Sequence, residues 1–185
     1  MIVSEAELAA SVALDRAAGK TVAFANGCFD LLHVGHVRYV QGAAAEADRL
    51  IVAVNDDRSV AGLKGPGRPI LPASDRAELV AALRGVDYVV VFGDPDVGRL
   101  LLMLTPDVHC KGTDYTVESV PERAVVAGYG GRTAIVGDAK DHDTREILAR
   151  VARTKDLGRT KDLGRTKDQG RTMDQGPGPK DQAPR

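Results

Sequence analysis

"TVAFANGCFDLLHVGHVRYVQGAAAEADRLIVAVN", residues 21–55, is the stretch that decides the fold. It opens on a short apolar run, TVAFA, and passes through a polar loop holding two histidines, His33 and His36. It then enters a helical stretch, VRYVQGAAAEA, and closes on a second apolar run, RLIVAVN. Neither run alternates polar with apolar, so each is expected to be buried on both faces. Two such strands joined by a helix make a parallel β-α-β unit.

The same alternation extends in both directions. Upstream, SEAELAASVALDRAAGK reads as an amphipathic helix with Ser4 as N-cap and Gly19 as its stop. Downstream, SDRAELVAALRG reads as a helix capped by Ser74 and ended by Gly85, and VDYVVVF as a third strand. DVGRLLLMLT is a helix stopped by Pro106, DVHC a fourth strand, PERAVVAGYGG a helix entered through a proline, RTAIVG a fifth strand and DTREILARVA a last helix. Residues 1–152 are therefore expected to form an α/β domain: a doubly wound, Rossmann-like parallel sheet of about five strands. Such sheets bind ligands beyond the carboxyl ends of their strands. The loops NGCFDLLHVGH, NDDRSVAGLKGPGRP, KGTDY and GDAKDHDT each follow a strand, so all four should meet at one edge.

Residues 153–185 differ in kind. They repeat GRTKDL with a period of six and end in a Gly/Pro cluster. Too little apolar surface is available there to offset a chain entropy of roughly 1–2 kcal/mol per residue, so a disordered low-complexity tail is expected. The tail has nine Lys+Arg against five Asp, a net of +4, which leaves −5 for the preceding residues out of a whole-chain −1. A basic tether to a membrane surface or nucleic acid and an expanded repeat without a selected role are both open readings of it.

Composition narrows the classes. Hydrophobic residues make up 43% of the chain, enough for a core, but aromatics only 4%, so the core must rest on aliphatic side chains. A net charge of −1 gives no case for a specific nucleic-acid binder. The two cysteines, Cys28 and Cys110, make no disulfide framework and fit a reducing compartment. Neither a signal peptide nor a membrane-spanning run is evident, so a cytoplasmic protein without membrane insertion is expected.

Three readings compete for the histidine loop. Zinc is the weakest, because the H-x-x-H pair lacks the H-E-x-x-H spacing and no third ligand is evident. Packing of the two rings in the core is the second. The third is phosphate chemistry. Both histidines follow a strand where a helix begins, and helix N-termini present free N–H groups and a partial positive charge. A spacing of three places both rings on one helix face, and Gly35 lets a ligand approach the backbone. Two imidazoles there could stabilise charge developing on phosphorus.

The segment GCFDLLHVGH resembles the H-x-G-H signature of the nucleotidyltransferase superfamily of cytidylyl- and adenylyltransferases. NGCFDLLHVGHVRYV, DRLIVAVNDDRSVAGLKGPGRPI, DRAELVAALRGVDYVVVF and PDVHCKGTDY follow in the order and spacing of one branch, the heptose 1-phosphate adenylyltransferases of ADP-heptose synthesis. The resemblance covers residues 5–152 or so. It implies transfer of an adenylyl group from ATP to D-glycero-β-D-manno-heptose 1-phosphate, giving ADP-heptose, a lipopolysaccharide core precursor, and pyrophosphate. It implies Mg²⁺ accompanying ATP, a homo-oligomer, and a separate sugar kinase, since bifunctional relatives carry a kinase for which this chain has no room.

The resemblance also implies residue roles. His33 and His36 would meet the ATP phosphates, with backbone groups at Gly27, Cys28 and Phe29 on the nucleotide. Lys64 and Lys111 would be the cations of the catalytic site. Arg76 and Thr144 would add nucleotide contacts, while Asp56, Lys64, Arg68, Lys111 and Asp114 would touch the sugar phosphate. From the residues alone, Lys64 also reads as an exposed loop lysine, Asp56 and Asp57 equally as helix caps, and Asp30 as a residue that orders its loop rather than a base. Arg76, in the first turn of a helix, needs a carboxylate or phosphate partner. Arg68 lies in a Gly/Pro-rich loop able to close over substrate. One departure concerns the last helix, which opens with HDTREIL: Thr144 is retained, but Asp143 and Arg145 stand where the family carries hydroxyl residues, and a carboxylate there weakens triphosphate binding unless offset. A cytidylyltransferase acting on glycerol 3-phosphate or a similar small phosphate, and a nucleotide-binding module without catalysis, are the alternatives.

Overall fold

Reciprocal capping starts the first helix. In the computed structural model, which describes residues 1–138, 144 and 147–154, α1 spans Glu5–Ala17. The Glu7 N–H donates to Ser4 Oγ at 3.3 Å, and the Ser4 N–H donates to the Glu7 carboxylate at 2.8 Å. Gly19 then takes a positive φ of 74°, as its place just past the helix requires.

The chain continues through β1 (Val22–Gly27), α2 (Val34–Ala44), β2 (Arg49–Asn55), α3 (Asp57–Lys64), α4 (Ala73–Ala81), β3 (Tyr88–Phe92), α5 (Gly98–Leu104), β4 (Val108–Gly112), α6 (Arg123–Gly128) and β5 (Arg132–Val136). The five strands pair in parallel in the order β3-β2-β1-β4-β5. This is the doubly wound, Rossmann-like sheet expected from the apolar runs. Its order reverses between β1 and β4, and the crevice at that switch point is where such sheets bind ligands.

Two apolar layers cover the sheet. On one face Val40 and Ala43 of α2 and Ala77 and Val80 of α4 pack on Ala23, Ala25, Val52 and Val54. On the other, Leu8 and Val12 of α1, Leu100, Leu101 and Leu104 of α5 and Val126 of α6 pack on Phe24, Ile51, Ala53 and Val90. Each fully buried leucine contributes about 1.5–3 kcal/mol of transfer free energy, so an aliphatic core suffices without tryptophan. The outer edge of β3 is closed by the N-terminus: the Val3 N–H donates to Val89 O at 3.0 Å and the Val89 N–H to Met1 O at 2.9 Å.

Two local expectations need correction. The stretch after β2 is not all loop, because Asp57–Lys64 is helical, with Val60 buried. Helix α4 is capped at Pro72 rather than at Ser74, which lies within its first turn. Proline cannot donate and its φ is fixed, which suits it to the helix entrance, here two residues before the serine.

The chain divides into two compact units, Met1–Thr144 and Arg145–Arg185. In the second, residues 147–154 are helical, two residues into the segment expected to be tail. The rest of that repeat, and the departures at Asp143 and Arg145, lie outside the described residues. Among the described residues no helix is long and apolar enough to cross a membrane.

Candidate active site

The polar stretches after β1, β2 and β4 leave the carboxyl edge of the sheet, and the first is shaped by Phe29. This residue adopts a left-handed φ of 48° and is buried. Its ring folds back beneath the loop, so that a Cβ on Gly27 would lie 3.2 Å from it. A side chain at position 27 would therefore crowd the Phe29 ring, beside any use of the Gly27 backbone by a ligand. The Phe29 ring also supports the histidines, with its centroid 5.3 Å from that of His36.

His33 caps α2 in an extended conformation, φ −142°, and His36 follows in the first turn. Their ring centroids are 3.9 Å apart. The His33 backbone N–H donates to His36 Nδ1 at 3.4 Å. Burial, then the charges of His33 and Lys64, holds the His36 imidazole down at about 4. The ring is therefore neutral at neutral pH. With Nδ1 accepting, its proton sits on Nε2, which makes Nε2–H the donor available to a ligand.

Cations gather around Cys28. Burial pushes its thiol up, against the opposing pull of Lys64, Arg76 and Arg68. Cys28 is therefore a small loop residue with a protonated thiol, its Sγ 3.8 Å from Asn55 Oδ1. Both Cys28 and Cys110 are free. Lys64 is exposed as the last residue of α3, where a cation also faces the negative helix end.

Three of the expected contact residues have partners within the protein. Asp56 caps α3, accepting the Ser59 N–H at 2.7 Å, as the cap reading expected. Arg76 is fully buried and donates to the carbonyls of Leu71 at 2.9 Å, Cys28 at 2.5 Å and Asn55 at 2.7 Å, and to Asp57 Oδ1 at 2.7 Å. Its need for a partner at a helix N-terminus is met inside the protein, where it braces the segments of Leu71, Cys28, Asn55 and Asp57. Arg68 pairs with Asp30, which also accepts the N–H groups of Ile70 at 2.6 Å and Leu71 at 3.3 Å. The Gly/Pro loop is thereby tied to the histidine loop, and Arg68 Nη2 is buried without a hydrogen-bond partner. Burial pushes the Asp30 carboxyl up, but the hydrogen bonds from Ile70, Arg68 and Leu71 outweigh it and the net shift is downward.

Across the switch point, Lys111 near the end of β4 is 7% exposed and donates to Asn26 Oδ1 at 3.1 Å. His109 Nε2 lies 3.2 Å from the same oxygen. The register sets Ala25 opposite Cys110, so Asn26 falls beside Lys111. Tyr39 joins this wall to α2, donating to Cys110 O at 2.8 Å and accepting the Asn26 N–H at 3.3 Å. Sequence reasoning missed Asn26, His109, Tyr39 and Glu122, the last of these paired with Lys111. The available signal was the i, i+2 pair His109 and Lys111, two polar side chains on one face of an otherwise apolar strand. Asp114 is exposed in the turn after β4, and Thr144 is helical and half-buried.

Among the described residues no group of three or more His, Cys, Asp or Glu is placed to hold a metal ion. The edge combines a histidine pair at a helix start, its His36 neutral, with Lys64 and Lys111, a set suited to an extended phosphate anion.

The chain is similar to known proteins. A family model described as cytidylyltransferase-like matches residues 24–159. Bifunctional protein HldE from Syntrophotalea carbinolica is 45% identical over 145 residues, 78% of this chain and 30% of that protein. The HldE of Ectopseudomonas mendocina is 46% identical over 74% of this chain and 29% of its own length, and that of Alcanivorax borkumensis 43% over 84% and 32%. The chain thus spans about a third of the relatives it matches. In fold, it is similar to a lipopolysaccharide core biosynthesis protein from Thermoplasma volcanium, with a TM-score of 0.57 and 24% identity over 66% of this chain and all of that one. A pantothenate synthetase from Thermus thermophilus gives a TM-score of 0.56 at 20% identity, covering 76% of this chain and 62% of that one. With the sheet order, the histidine pair and a family match over most of its length, this chain belongs to the cytidylyltransferase-like family.

Proposed function

We propose that this protein is an adenylyltransferase that joins ATP to D-glycero-β-D-manno-heptose 1-phosphate, giving ADP-heptose and pyrophosphate. The observation that carries this reading is the His33–His36 pair at the start of α2, with His36 neutral, set at the switch point with Lys111 across it. The loops NGCFD, LKGPGRP and KGTDY and the identity to HldE support the choice of branch.

The acceptor phosphate oxygen attacks the α-phosphorus of ATP, and the bond to pyrophosphate breaks. A phosphate acceptor is already anionic at neutral pH, so no general base and no protein nucleophile is required. The protein acts by positioning two anions and offsetting their charge. His36 Nε2–H donates to the triphosphate, and as a neutral donor it does so without titrating at neutral pH. The α2 N-terminus and backbone of Gly27–Phe29 lie on the nucleotide side, while Lys64 and Lys111 supply positive charge. ATP enters as its Mg²⁺ complex, with the ion held by phosphate oxygens and water, the ligands it prefers.

A pyrophosphate-release assay of the purified chain tests the proposal, pairing MgATP and MgCTP with heptose 1-phosphate, glycerol 3-phosphate and ethanolamine phosphate. Release is expected with ATP and the heptose phosphate. Release with CTP alone overturns the base and branch, and nucleotide binding without release for any pair overturns the catalytic reading.

A further inference from the structure

A buried ion pair stands beside the histidine site. Glu122 Oε2 lies 3.4 Å from Lys111 Nζ, and the two side chains are 11% and 9% exposed. Glu122 immediately precedes α6 and so reaches β4 from a different element. Its Oε2 is buried and forms no hydrogen bond, so its link to Lys111 is chiefly charge on charge. An ammonium and a carboxylate this far from water each cost several kcal/mol unless they compensate one another.

Among the described residues, the groups facing the ammonium are few. Asn26 of β1 gives a neutral carbonyl at 3.1 Å. His109, on the same strand, is held down at about 3 by burial and then by the charge of Lys111, so it is neutral. The Tyr115 ring, from the turn after β4, has its centroid 5.5 Å from Nζ. Glu122 is the one negative charge in this set. Burial drives the Lys111 ammonium below its ordinary range, and Glu122 opposes that shift.

We infer that Glu122 is a positioning residue for the acceptor: it keeps the Lys111 ammonium charged and against Asn26 at the carboxyl end of β4, where an acceptor's phosphate meets it. The identity of that anion rests on the adenylyltransferase reading; the charge coupling of the pair does not. Lys111 is therefore protonated before substrate arrives, and phosphate binding need not supply the proton.

The test uses the full chain carrying ¹³C-labelled lysine. The Lys111 ¹³Cε resonance, identified by its loss in K111R, is titrated in the parent, in Glu122→Gln and in Glu122→Asp. The midpoint is expected to fall by about one pH unit or more in Glu122→Gln, and by less in Glu122→Asp, which keeps the charge but withdraws it. In parallel, kcat/KM for heptose 1-phosphate is followed from pH 6 to 9.5. The parent-to-Glu122→Gln ratio should rise across that range, toward a limit of about one decade per unit of midpoint shift once the pH exceeds both midpoints. A K111R/E122Q double variant should lose this pH dependence, since a guanidinium does not deprotonate there. An unchanged Lys111 titration in folded Glu122→Gln, or a ratio flat with pH, overturns the inference. A shifted titration in a chain that releases no pyrophosphate overturns the adenylyltransferase reading and sustains the coupling.

Discussion

Asp30 and Arg76 hold the two ends of one residue: Asp30 accepts the Leu71 N–H at 3.3 Å, and Arg76 donates to the Leu71 carbonyl at 2.9 Å. Through Leu71 the histidine loop is fastened to the Gly/Pro loop and to the start of α4. The cations near Cys28 thus owe their placement to two side chains that are both buried.

Arg76→Met follows directly from this. It removes a buried cation whose partners are three carbonyls and Asp57, and methionine fills the volume without replacing a bond. Breaking such a network costs about 3–5 kcal/mol. The urea midpoint should fall accordingly. A midpoint unchanged from the parent would show that the brace contributes nothing to stability.

Asp30→Asn should loosen one loop and leave the sheet intact. The amide keeps an acceptor but loses the charge that holds Arg68. Hydrogen exchange at Ile70 and Leu71 should rise by at least about tenfold, the equivalent of roughly 1.4 kcal/mol of lost protection, while Val52 and Val54 of β2 keep theirs. Uniform acceleration across both regions would mean that Asp30 supports the whole fold.

These braces mark the boundary of what the sequence disclosed. The strands were legible because Val22–Ala25, Leu50–Val54 and Val89–Val91 are apolar on both faces, a pattern that only a covered parallel sheet satisfies. The histidine loop was legible from its place between strand and helix. The duties of Asp56, Arg68 and Arg76 were not, because a cation or carboxylate near a phosphate site has the same local sequence whether it meets ligand or a neighbouring loop. Helix α3 was hidden for a related reason: DDRSVAGLK is polar apart from Val60 and Leu63, and its start depends on the Asp56 cap. Asn26, His109 and Glu122 come together only through the β1–β4 register and the packing of α6, which no local pattern reports.

Acid should destabilise the protein through its histidines. His36 and His109 lie at about 4 and about 3 in the folded state, each lowered chiefly by burial from an ordinary value of 6.5. A group lowered on folding contributes stability that is fully present above its unfolded pKa. That contribution fades as pH falls from 6.5 toward 4, because the unfolded chain takes up protons that the folded chain refuses. The urea midpoint of the parent should fall across this window, and less steeply in His36→Gln. Equal slopes in the two proteins would mean that His36 is not held neutral by the fold.

The most direct test of the central claim is the turnover of His33→Ala and His36→Ala with MgATP and heptose 1-phosphate, followed as ADP-heptose formed. The histidine pair at the start of α2 is expected to stabilise charge at the α-phosphorus, so each variant should lose roughly 10²–10³-fold in kcat, the scale for removing one transition-state donor. Near-parental turnover in both variants would contradict the account and return the two rings to a packing role.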